Sequence, residues 1–186
     1  PGWVEMDVDE YLRLTKACMK ECAEQMRAKG LAVEGIQSIM GDGIICGIAG
    51  VDREGHAITP YINYLDSRTA GDVQAINEMN LDIWGKETGN AEANCMFPAM
   101  FARWFLENSK AFQEKGAKFI HNAPYILAHL AGLSAEEMFI DWGAMSGWGL
   151  GYNVYTKEWS KEQLDLLKLD MKYMPKIVKP WDIIGK

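Results

Sequence analysis

Residues 36–52 read IQSIMGDGIICGIAGVD, and the fold turns on this stretch. Two apolar runs, Ile36 to Met40 and Cys46 to Val51, flank a cluster that holds Gly41, Asp42, Gly43 and Gly47. Short apolar runs bounded by turn residues read as buried strands. The stretch therefore predicts two short strands around a turn or bend, with Asp52-Arg53-Glu54-Gly55 as a second turn. Glycines at this density have two readings: a bulge between strands, or a backbone that a ligand approaches closely. No amphipathic helix follows, so the cluster does not fit a dinucleotide fingerprint.

Working outward, Tyr61 to Leu65 predicts a further strand and Ala70 to Met79 a helix. Upstream, Asp7 can cap a helix, with Glu10 three positions on as in a capping box. Tyr11, Leu14, Thr15, Cys18, Cys22 and Met26 recur at helical spacing until Gly30, a natural stop. Downstream, Gly85 to Cys95 reads as a loop. Pro98 suits the first position of a helix carrying Phe101, Trp104 and Phe105 on one side. Lys118-Phe119-Ile120 predicts a strand, and Pro124 opens a helix through Leu130. Trp142 to Tyr155 is glycine- and aromatic-rich, hence irregular or hairpin-like, and Ser160 with Gln163 predicts a second capping box. Helices alternate with short strands, so the class is α/β.

At 186 residues the chain is long enough for one domain. Hydrophobic residues make up 48% and charged residues 24%, which excludes wholesale disorder. The net charge of −7 provides no broad field for a phosphate backbone, which argues against nucleic acid as a partner. No stretch reaches the roughly 18 apolar residues of a membrane span. Cys18 and Cys22 sit four apart on one helix, poorly placed for a disulfide, and the four cysteines predict reduced, buried thiols of a cytoplasmic protein.

Common chemical signatures are missing: no GxxxxGKS/T loop, no HExxH, no paired CxxC and no GxSxG. His56, His121 and His129 have no metal-ligand spacing. Asp66 and Arg68 follow a predicted strand, where α/β proteins place ligand groups. Either they face a ligand, or they form a surface ion pair or a helix cap. Asp141, between Ile140 and Trp142, suits a hydrogen-bond acceptor for nearby backbone.

The order of segments adds more than any single motif. Pro1-Gly2-Trp3-Val4-Glu5-Met6-Asp7 resembles the PGWVE-x-D opening of FGGY-family carbohydrate kinases. Ile36 to Asp52 resembles that family's strand, sugar-contacting loop and following strand. INYLDSR, from Ile62 to Arg68, resembles its ILWLDxR segment. Leu130 to Gly132 is similar to LTG, Asp141 to Ser146 to TDYSNAS, Glu158-Trp159-Ser160 to EWS, and Met174-Pro175 to LP. In the family's first signature block Met96, Pro98, Trp104, Phe105, Glu107 and Asn108 fit. Phe101 stands where Lys is usual, and Ala102 where a larger apolar residue is usual.

The resemblance implies a ribonuclease H-like, actin-like domain: a mixed sheet flanked by helices. Residues 1–186 would form part of the sugar-binding N-terminal domain. The family's first hairpin would precede Pro1, and the C-terminal nucleotide domain would lie outside the chain. It implies ATP-dependent phosphorylation of a sugar or polyol hydroxyl, with a xylulose-like ketose as the default acceptor. ATP and Mg²⁺ would be bound mainly by parts absent here, so the isolated chain is expected not to turn over. An unpaired sheet edge would favour self-association, such as a homodimer. The alternative is a non-catalytic sugar-binding or regulatory module of the same fold.

Carried over segment by segment, the resemblance places Gly43, Ile45 and Cys46 on the sugar loop, Tyr64 where Trp often covers a sugar face, and Met96 near the substrate. Asp66 and Arg68 would shape the pocket rim, or pair with each other or cap the helix from Ala70. Ile45, Cys46 and Met96 cannot supply strong hydrogen bonds, and an unpartnered buried hydroxyl costs about 1–3 kcal/mol. A register two or three residues different would bring in Asp42 as the best polar candidate.

Overall fold

A computed structural model describes residues 2–185. The segment ahead of the first long helix forms a two-residue strand, β1 (Glu5–Met6). The helix, α1 (Val8–Ala28), starts where predicted: the Asp7 carboxylate accepts from the backbone N–H of Asp9 and Glu10, although the Glu10 side chain binds Arg13 and closes no capping box. Strands β2 (Gly47–Val51), β3 (Tyr61–Asn63) and β4 (Lys118–Ile120) complete a sheet of order β1-β3-β2-β4, antiparallel throughout.

Successive strand residues point to opposite faces, so this small sheet supports two cores. On one face Ala49, Val51, Tyr61 and Ile120 pack with Val8 of α1 and with Tyr125 and Ala128 of α6 (Asn122–Ala131). On the other, Ile48, Ile62 and Phe119 pack against Met100, Phe101 and Phe105 of α4 (Pro98–Asn108) and Phe112 of α5 (Lys110–Lys115). Phe112 stacks on Phe119 with ring centroids 4.2 Å apart and planes 8° apart. That ring lies so close to β2 that a Cβ on Gly50 would sit 2.3 Å from it. Between β3 and α4 run α2 (Ala70–Glu78) and α3 (Ile83–Thr88).

The last third forms a second layer. Strand β5 (Phe139–Asp141) pairs in parallel with β8 (Lys176–Val178). Between them lie α7 (Trp142–Ser146), a hairpin of β6 (Tyr152–Asn153) and β7 (Glu158–Trp159), and α8 (Lys161–Leu166). Asp141 accepts from the backbone N–H of Gly143 and Ala144, the backbone role its position suggested.

Five further expectations need correction. Ile36 to Met40 forms no strand; a strand needs a ladder partner, and no described residue pairs with this run, so Ile36, Ile39 and Met40 are exposed. Cys18 and Cys22 are exposed, not buried, and Cys46 and Cys95 are only half-buried. The covered residues of α1 are Val8, Tyr11, Leu12, Thr15, Met19, Ala23 and Met26, so Tyr11, Thr15 and Met26 fall where the spacing placed them and Leu14, Cys18 and Cys22 do not. The 85–95 loop starts late, because α3 extends to Thr88 and ends on left-handed Gly89. Between Trp142 and Tyr155 the hairpin-like reading holds for β6, which pairs with β7, but Trp142–Ser146 forms the helix α7, capped by Asp141. No capping box joins Ser160 and Gln163. Gln163 is fully buried and instead accepts from Gly151 N–H and donates to Tyr152 O and Glu87.

Candidate functional site

The register gathers the predicted segments at one end of the four-stranded sheet. Gly47 opposes Asn63, which sets Cys46 and Tyr64, the next residues outward, at the same end. Ala49 opposes Ile120, so His121 leaves β4 at that end too. Gly47 has φ +140°, and a Cβ there would come within 2.6 Å of the Ile62 carbonyl and of Tyr61 Oη. Glycine lets the chain turn off this end of the sheet.

The loop before Gly47 leans on two supports. Gly41 lies against Leu127, and Gly43 against Asn122 and Ala123, at the start of α6. At the other side Cys46 Sγ donates to Gly147 O at 3.5 Å, and Ile45 packs on Gly147 so closely that a Cβ there would meet it at 2.9 Å. The turn at 147–149 also holds the Met96 segment. Ala99 N–H donates to Trp148 O at 3.2 Å, and Phe97 packs on Gly149. Thr69 Oγ1 donates to Cys95 O at 3.4 Å, joining the turn after Tyr64 to the same segment.

Tyr64, Ile45 and Met96 are each exposed, by 43%, 46% and 39%, so three large apolar groups face outward from one region. Asp42, three residues before Ile45, is exposed and accepts from Gly43 N–H at 2.8 Å with one oxygen. Cys46 is half-buried, and burial pushes its thiol pKa up. The Cys46 side chain is therefore a protonated, weakly polar group.

Asp66 and Arg68 behave differently. Their side chains are 0% and 1% exposed and pair with each other. Asp66 Oδ1 accepts from the N–H and Nε of Arg68 at 2.8 and 2.9 Å. Its Oδ2 accepts from Val4 N–H at 2.6 Å and Arg68 Nη2 at 2.7 Å. The guanidinium lies between the rings of Trp3 and Trp104, 4.1 and 4.6 Å from their centroids, with Glu5 Oε1 2.8 Å from Nη1. Burial pushes the Asp66 carboxyl up, but the Arg68 side chain and the two backbone donors outweigh it and leave the carboxyl below its usual value. This is a buried lock on the N-terminal segment, not the solvated pair that charge pattern alone suggests.

Three residues at the site were not nominated for it from the sequence, where His121 was weighed only as a metal ligand. Asn122 flanks Gly43. His121 and Trp148 lie deeper, 1% and 0% exposed, with ring centroids 5.5 Å apart. His121 carried one usable signal: it directly follows a strand, where α/β proteins place ligand groups.

All 186 residues match the profile of the FGGY family of carbohydrate kinases, N-terminal domain. The chain belongs to this family. Curated relatives include glycerol kinases of Burkholderia pseudomallei, 24% identical over 189 residues, and Deinococcus radiodurans, 25% identical over 192. Each alignment takes in all of this chain and 37% of the relative, so the chain spans well under half the length of those proteins. Among solved structures, gluconate kinase from Lactobacillus acidophilus superposes with a TM-score of 0.82 at 22% identity, covering all of this chain and 35% of that one. Glycerol kinase from Plasmodium falciparum gives 0.80 at 20%, over 95% of this chain and 35% of that one. The fold is therefore the actin-like, ribonuclease H-like α/β fold of FGGY N-terminal domains, as the resemblance implied.

Kinases of this family use ATP, usually with Mg²⁺. Among the described residues no three His, Cys, Asp or Glu side chains come together as a metal site. The Gly41–Gly47 loop offers no lysine or arginine to a phosphate. No helix among the described residues is long and apolar enough to cross a membrane.

Proposed function

We propose that this chain forms much of the acceptor pocket of a parent carbohydrate kinase, which transfers the γ-phosphate of ATP to a hydroxyl of a sugar or polyol. The observation that carries the reading is the convergence of the Gly41–Gly47 loop, Tyr64 and Met96 at one sheet end, in a chain that matches the FGGY N-terminal domain throughout. Tyr64 covers the apolar face of the acceptor, and Ile45, Cys46 and Met96 form its floor. Asp42, with one oxygen uncommitted, accepts from an acceptor hydroxyl, and Gly43 lets the backbone come close. Asp66 and Arg68 act on the rim indirectly, by fixing the turn that presents Tyr64.

Phosphoryl transfer needs phosphate clamps and a base, and the proposed assignment leaves these, with Mg-ATP, to the remainder of the parent. That division also supports residues 1–186 as one partial domain, inactive alone. A cytoplasmic location, where ATP and free sugars meet, goes with this reading. The exposed run of Leu31, Ile36, Ile39 and Met40 supports self-association, which sedimentation at several concentrations tests.

The experiment is an acceptor screen on the full-length parent with Mg-ATP, following ADP release with glycerol, xylulose and gluconate. A xylulose-like ketose is the first acceptor to try. Acceptor-dependent ADP release is expected, together with a raised KM in Tyr64→Ala. The absence of turnover with every sugar and polyol would refute the proposal, and turnover by the 186-residue chain alone would refute the division of labour.

A further inference from the structure

The proposed pocket has an apolar floor, yet a polyol arrives with several hydroxyl groups. Leaving one buried without a partner costs about 1–3 kcal/mol. The structure holds buried, unsatisfied hydrogen-bonding groups next to the Ile45 backbone and on the turn against which Ile45 packs. Trp148 Nε1 has no protein partner of hydrogen-bonding geometry, and the His121 ring nitrogens have none beyond a loose approach by the Ile45 backbone. The two rings are neighbours. Trp148 follows Gly147, on which the Ile45 side chain rests, and the Ile45 backbone approaches the His121 ring as a weak hydrogen-bond partner.

We propose that His121 and Trp148 form a second, buried layer of the acceptor pocket, which takes one hydroxyl of the acceptor when the Ile45 side chain moves aside. The inference rests on the pocket assignment above. Burial is the largest influence on His121 and pushes its pKa down to about 4, although the Ile45 backbone and Asp141 pull the other way. The imidazole is thus neutral at pH 7, with one N–H donor and one acceptor nitrogen. Trp148 adds a donor. A hydroxyl matches this set because it accepts from one N–H and donates to the free imidazole nitrogen. The cover is a single side chain, already 46% exposed, while the layer below is anchored. The turn is held by Tyr152 Oη to Ser146 O at 2.7 Å and Asn90 Nδ2 to Gly149 O at 2.8 Å. Three other ionisable groups face this region. Cys46 and Asp141 flank it, and Tyr61 reaches Gly47 from the opposite sheet face.

The test is NMR titration of the 186-residue chain with glycerol, xylulose and gluconate separately, following the His121 ring and Trp148 indole resonances together with Tyr64 and Cys46. At least one acceptor is expected to shift all four. Trp148→Phe, which keeps most of the ring and removes the N–H, should weaken binding roughly three- to tenfold, the range of one net hydrogen bond. His121→Phe should weaken it at least as much, and Ile45→Ala should strengthen it or quicken exchange. Shifts at Tyr64 and Cys46 with none at His121 and Trp148 would overturn the buried layer and leave the pocket standing. No shift with any acceptor would overturn both. If His121→Phe fails to fold, the wild-type titration and Trp148→Phe still decide.

Discussion

Asp66→Asn should cost this chain about 3–5 kcal/mol at pH 7. The native carboxylate takes four hydrogen bonds between 2.6 and 2.9 Å, two on each oxygen. An amide of the same shape turns one oxygen into a donor, so two of the four contacts become donor against donor. It also removes the negative charge opposite a guanidinium that is 1% exposed, leaving Glu5 as its remaining carboxylate. Breaking a buried pair by removing one partner costs about 3–5 kcal/mol, because the other charge stays buried. Of a total stability of about 5–15 kcal/mol, that is a large share. Urea unfolding followed by tryptophan fluorescence measures it. With a slope of about 2 kcal/mol per molar urea, the midpoint should fall by about 1.5–2.5 M.

The pH dependence has a definite sign. The folded pKa of Asp66 lies below its ordinary value of 3.8. The pair therefore contributes fully above that value, and its contribution is lost as pH falls from there through the depressed folded pKa. The variant should lack this part of the acid limb. Replacing both partners, as Asp66→Leu with Arg68→Met, should recover much of the loss, because packed apolar groups replace buried pairs at little cost. A loss under 1 kcal/mol at pH 7, or an unchanged acid limb, would refute the lock.

Gly47→Ala should destabilise by about 2–4 kcal/mol in the same assay, since a side chain at φ +140° is strained and meets the Ile62 carbonyl at 2.6 Å; a neutral result would overturn the close approach. Phe112→Ala should cost about 3–5 kcal/mol by emptying the stack on Phe119, and a loss under 1 kcal/mol would mean that the stack is not a core element. A thiol-reactive dye under native conditions should label Cys18 and Cys22 fast and Cys46 and Cys95 slowly, Cys46 the more so because its thiol pKa is raised; four equal rates would contradict the burial pattern.

Local signals carried most of the fold. Asp7 before an amphipathic run, Pro98 before Phe101 and Phe105, and apolar Phe119-Ile120 each contain their own boundary within a few residues. Failures came where the deciding partner is distant in sequence. Ile36 to Met40 has the composition of a strand, but strand formation depends on a neighbour, and composition cannot report one. Gln163 looked like a capping residue from its spacing to Ser160, whereas its side chain is claimed by Gly151, Tyr152 and Glu87. At the site, Asp42, Ile45, Cys46, Tyr64 and Met96 could be nominated only through the order of segments, because none carries a chemical signature alone. His121 and Trp148 stayed hidden because only tertiary packing brings residues so far apart in sequence into ring contact.

The Trp3–Arg68–Trp104 stack also sets an order in time. Its first ring leaves the ribosome roughly 65 residues before the guanidinium and roughly 100 before the second ring. At about 5–20 residues per second, Trp3 and the β1 edge wait on the order of 3–13 s for Arg68, and longer for Trp104. During that interval an indole and an unpaired strand are open to solvent, to chaperones and to other nascent chains. The stack therefore cannot close before Trp104 emerges, and slower translation between residues 5 and 104 would lengthen the exposure of Trp3.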